Sequence, residues 1–77
     1  MPLSMCQIGS TVILKDFMLS PELINRLYCL GMIKGAFIKV ISVEYNGPMT
    51  IELLGSKIAL GYDIISNIQV VTSKYHS

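Results

Sequence analysis

The chain has 77 residues, with six basic and five acidic side chains, one histidine, two cysteines and a formal net charge of +1. Hydrophobic residues make up 52% and charged residues 14%, against about 25% charged in an ordinary soluble domain. The length allows one domain, residues 1–77, and the composition excludes intrinsic disorder and argues against a nucleic-acid binder held by phosphate contacts.

The apolar excess does not build a membrane span. A spanning helix needs about 20 consecutive apolar residues. The longest uncharged stretch, Met1 to Leu14, is broken by Pro2, Ser4, Gln7, Gly9, Ser10 and Thr11. A secretory signal carries basic residues ahead of its apolar run, and the first basic residue here is Lys15. The expected location is the cytoplasm, where both cysteines are free thiols. Near-zero charge on an apolar surface favours weak self-association or docking to a partner.

Along the chain, Thr11 to Phe17 is β-branched and reads as a strand. A helix follows from Pro21 to Leu30. Ser20 suits the cap, Pro21 the first helical position and Glu22 the positive end of the dipole. Leu19 and Ile24 are placed to form a hydrophobic staple. Leu23, Leu27 and Leu30 form one apolar stripe. Gly31 ends the helix with positive φ, and Met32 packs back on Leu27. Ala36 to Val43 reads as a second strand. Asn46-Gly47-Pro48 is a turn, and Met49 to Leu54 is a third strand. Gly55-Ser56 turns the chain into a fourth, Lys57 to Leu60. Gly61 to Asn67 is a loop with one helical turn that Asp63 could cap, and Ile68 to Thr72 is the last strand. Five short strands with one helix between the first two predict a mainly β fold, a small SH3-like five-stranded barrel. Leu23, Leu27, Leu30, Val40, Ile51, Leu53, Ile58 and Val70 are the expected core.

Three segments resemble the ferrous iron transport protein A (FeoA) family. Leu23 to Gly35 is similar to its "L..RL..LG(L/M).(P/K)G" helix-to-strand corner, with Leu27, Leu30, Gly31, Met32 and Gly35 as its structural residues. Leu54 to Leu60 is similar to "GS.IAL", and Ile8 to Ile13 to the opening "(P)G..A.I". Lys34 departs from a frequent proline, Ile8 and Cys6 from a frequent proline and leucine, and Gly61 from a common basic residue. The resemblance implies an accessory of bacterial ferrous iron uptake. Its partner would be the cytosolic G-protein part of a FeoB-type transporter, which would recruit it to the membrane. The same fold, by resemblance, ends metal-dependent repressors as an interaction module.

The chain's own residues carry little chemistry. No enzyme activity and no cofactor are expected. The lone histidine, His76, is close to the terminus and no phosphate-binding glycine loop is present. No metal site is expected either. Glu22 and Cys29, on one helix face, come nearest to a soft-metal pair, while Cys6 reads as a small core residue. What remains is binding. Ile24, Asn25, Arg26, Tyr28 and Cys29, on the outer and flanking faces of the helix, are the expected partner contacts. Arg26 could pair with Glu22 at i, i+4 or act in trans on a bound GTP. Tyr45, Met49 and Tyr62, near turns, form a competing surface. The alternative readings are a small RNA- or ribosome-associated barrel and a metal-binding chaperone.

Overall fold

The computed structural model describes residues 1–45 and 47–73. Asn46, inside the expected turn, and His76 lie outside the described residues.

The order of elements follows the sequence pattern. Strand β1 spans Thr11–Phe17, helix α1 Pro21–Cys29 and β2 Phe37–Val43. Strands β3 (Met49–Leu53) and β4 (Ser56–Leu60), a four-residue helix α2 (Tyr62–Ile65) and β5 (Ile68–Thr72) complete it. All pairings are antiparallel, in the order β4-β3-β2-β1-β5. Period-two alternation decides which side chains face in. Val12 and Leu14 of β1, Ile38 and Val40 of β2, and Met49, Ile51 and Leu53 of β3 are buried. Register shifts at Leu14/Asp16 and at Val40/Ser42 interrupt the ladders of β1 and β2. Such bulges bend a strand and increase its twist, so the sheet curls around its inward side chains.

The N-terminal segment closes one end, which the sequence pattern does not announce. Leu3–Met5 forms a 3₁₀ turn and inserts Leu3, fully buried, beneath the sheet. Ahead of it, Pro2 bridges Gln69, and the Val70 N–H donates to the Met1 carbonyl at 2.8 Å. The outer edge of β5 is thereby covered by Met1 and Pro2.

Helix α1 begins as expected. The Leu23 N–H donates to Ser20 Oγ at 3.3 Å, satisfying one amide that a helix start leaves free. Its end differs by one residue, with Leu30 as the C-cap. Gly31 has φ +96°. Its N–H donates to the Tyr28 carbonyl at 2.9 Å, and the Met32 N–H to the Leu27 carbonyl at 3.0 Å. This pair of bonds is the Schellman arrangement.

Five side chains depart from expectation. Leu30 is not core but 49% exposed. The helix stops beneath it, and the reversal at Gly31 puts fully buried Met32 in the place the stripe reserved for Leu30. Leu23 and Ile58 are half-buried, because α1 lies near the barrel's margin and β4 is an edge strand. Met49 is buried, not exposed on a turn; it is flanked by Val43 of β2 and by buried Leu60 of β4. Asp63 does not cap α2. The cap is Gly61, and the Asp63 main-chain carbonyl accepts from Asn67 Nδ2 at 2.9 Å.

Candidate interaction surface

The expected contact residues occupy one side of α1, with unequal exposure. Glu22, Asn25, Arg26, Tyr28 and Cys29 are exposed, whereas Ile24 is half-buried and packs against the core. Tyr28 is anchored. Its ring lies 5.9 Å from that of buried Phe17, at a 56° tilt, a favourable aromatic geometry. Among the described residues no ion pair joins Glu22 to Arg26; the ion pair found is Lys34 to Asp16, at 3.4 Å. The Arg26 guanidinium is therefore left to solvent or to a partner. Glu22 and Cys29 gain no third ligand, since among the described residues no three His, Cys, Asp or Glu side chains meet. Tyr45 (95% exposed), just after β2, and exposed Tyr62, just after β4, lie beyond the sheet end where Val43, Met49 and Leu60 pair.

A second feature was not anticipated. The corner between α1 and β2 faces the β3–β4 hairpin across an open groove of about 410 Å³, lined by Ile33, Lys34, Ala36, Phe37, Leu53 and Leu54. Leu54 is the single described residue other than glycine with positive φ, at +54°. Followed by Gly55 at +82°, it makes the two-residue turn type that suits Asn-Gly. A leucine there strains the backbone and leaves its side chain 86% exposed. The side chain lies over Gly31, where a Cβ would meet Leu54 Cδ1 at 3.0 Å and Leu53 Cδ2 at 3.6 Å. Leu30, Ile33, Phe37 and Leu54 are all exposed around this corner, beside the outer face of α1. Part of this was readable. Phe37 alternates with inward Ile38 and shares the outer face with Lys39, whereas Leu54, expected to end β3, instead forms the turn with Gly55 because Leu53 pairs with Ser56.

Charge at the corner is local. Asp16 accepts from the Phe17 N–H at 2.8 Å and faces the Lys34 ammonium. These contacts, the amide foremost, hold its carboxyl below the usual carboxylate range. Burial pushes the Cys6 thiol up, against a smaller opposing influence of the terminal ammonium.

Comparison with known proteins fixes the family. The FeoA domain model matches residues 1–72. The chain belongs to the FeoA family. A Methanocaldococcus jannaschii protein, provisionally named Fe(2+) transport protein A, is 34% identical over 74 residues, covering 96% of this chain and 89% of its own length. The crystal structure of an iron uptake regulatory protein, FeoA, superposes with a TM-score of 0.87 at 25% identity, over 95% of this chain and 97% of that one. The FeoA protein of Chlorobium tepidum shares the fold at 24% identity, with a TM-score of 0.86 over 99% of this chain and 76% of its own. A manganese-dependent transcriptional repressor contains the same fold, with a TM-score of 0.85 at 19% identity, over 95% of this chain and 41% of its own. The SH3-like fold of the FeoA proteins is thus the fold of this chain, and the family implies involvement in ferrous iron transport. Its three motifs map to the α1–β2 corner, to β4 and to the entry of β1, positions that shape the barrel. Among the described residues no helix is long and apolar enough to cross a membrane.

Proposed function

We propose that this FeoA-family protein is a cytoplasmic, non-enzymatic accessory of ferrous iron uptake that acts by docking to the cytosolic G-protein part of a FeoB-type transporter. The docking face is the outer side of α1, with Asn25, Arg26, Tyr28 and Cys29 exposed and Ile24 flanking, continued by the apolar corner. The observation that carries the reading is Leu54. A strained backbone and an outward leucine each work against the isolated domain, and such features gather at sites that serve a partner. Clustering with Leu30, Ile33 and Phe37 turns single exposed side chains, which are ordinary, into a patch. Tyrosine and arginine are frequent hot-spot residues, and both stand beside it.

Binding of folded variants to the transporter's cytosolic domain, measured by calorimetry, tests the proposal. Tyr28→Ala should weaken binding by about 2 kcal/mol, roughly thirtyfold. Leu54→Asn relieves the turn, so it should raise the melting temperature while lowering affinity. If both bind normally and Tyr45→Ala or Tyr62→Ala does not, the docking face is on the other rim. If Arg26→Ala binds normally yet slows GTP hydrolysis in the complex, Arg26 acts on the nucleotide instead.

A further inference from the structure

We propose that the pocket between the N-terminal turn and β1 is a binding site for a soft monovalent metal ion, Cu(I), held by the Cys6 thiolate and the thioethers of Met5 and Met1. Seven sulfur side chains occur in the sequence, five methionines and two cysteines. Three of them line this one cavity of about 260 Å³, which is floored by Val12 and bordered by Thr72.

The fold brings these ligands together. The 3₁₀ turn closes through Met5 N–H to the Pro2 carbonyl at 3.1 Å and Cys6 N–H to the Leu3 carbonyl at 3.0 Å. It thereby fixes the main chain of Met5 and Cys6 at the cavity that both residues line. Met1 is pinned by its two hydrogen bonds to Val70, of 2.8 and 3.0 Å. Cys6 is buried at the base, while Met5 and Met1 are 70% and 51% exposed. An arriving ion therefore meets the thioethers first and the thiol behind them.

The donor set selects the metal. Thiolate and thioether are soft ligands that favour Cu(I) over harder divalent ions. Among the described residues no carboxylate or imidazole lines the cavity, so these offer ferrous iron none of its better ligands. Charge agrees. One thiolate offsets the charge of one Cu(I), leaving only the Met1 ammonium nearby, whereas a divalent ion would add a further uncompensated positive charge on apolar walls. Binding exchanges the Cys6 S–H bond, whose hydrogen is directed at the Pro2 carbonyl at 3.9 Å, for an S–Cu bond. The proton leaves to solvent and no electron is transferred.

The test uses the full chain carrying Cys29→Ser, so that Cys6 is the one thiol, with retention of Met1 verified by mass. Under anaerobic conditions it is titrated into the Cu(I)–bicinchoninate complex. The expected result is transfer of one equivalent of Cu(I), lost in Cys6→Ala. Removing an outer-shell partner of a metal site costs about 10–100-fold in affinity, and Met5→Leu, which removes a ligand, should cost at least that. Met5 is exposed, so its variant remains decisive even if Cys6→Ala fails to fold. The proposal is overturned if no Cu(I) is transferred, if Met5→Leu binds as tightly as its parent, or if equimolar Zn(II) displaces the ion.

Discussion

Gly31 shows how much one residue without a side chain decides. Its φ of +96° reverses the chain after α1, and the space a Cβ would fill is held by Leu54 and Leu53. A β-branched side chain there meets both backbone strain and contact. Gly31→Val should therefore destabilise by more than about 1 kcal/mol, read as a lower denaturant midpoint with an unchanged m-value. This role was legible, because a glycine after a leucine-rich helix signals such a reversal. The exposure of Leu30 was not. Spacing at i, i+4 and i+7 describes a helix that continues, whereas capping redirects the chain within one residue. Leu54 was equally hidden, since leucine normally argues against a turn with positive φ.

At the scale of elements, α1 is secured by one fully committed side chain. Leu27 is the buried residue of the helix, and its carbonyl also receives the Met32 N–H. Leu27→Ala should cost about 2–5 kcal/mol, a large fraction of the roughly 5–15 kcal/mol by which folded domains are ordinarily stable. A melting temperature close to wild type would refute the packing assigned to α1. The α1–β2 connection is also tied to β1, through Lys34 and Asp16. Because the Asp16 carboxyl is held below its ordinary range, the folded state binds its proton less readily than the unfolded state. The pair therefore stabilises above the ordinary carboxylate value of about 3.9 and is lost as pH falls through the folded value. The melting-temperature gap between wild type and Asp16→Asn should narrow as pH is lowered from 6 toward ~2. The strands were legible because β-branched runs and turn residues speak locally. The 3₁₀ turn was not, since Leu3-Ser4-Met5 carries no periodicity and its burial depends on a strand more than sixty residues later.

For the whole molecule, the two ends of the sheet are managed differently. Met1 and Pro2 cover β5, whereas β4 ends the sheet order. Its exposed Lys57, opposite Glu52, is the charged residue that discourages a further strand from pairing. Lys57→Ile should promote concentration-dependent association, visible by sedimentation velocity as species heavier than the monomer. An unchanged monomer would show that charge does not guard this edge. The docking face was half legible for a related reason. Helix-face residues follow from periodicity within α1, but the groove exists only where two corners, distant in sequence, come to face one another.

The covering of β5 also sets the timing of folding during synthesis. Met1 and Pro2 find their partners more than sixty residues later in the chain, in Gln69 and Val70, and β1 pairs with β5 along nearly its whole length. At about 5–20 residues per second, the N-terminal turn and β1 wait several seconds, unpaired on that side, until Ile68–Thr72 has emerged from the ribosome. The barrel is thus finished in one late step, and an apolar nascent chain spends that interval within reach of chaperones.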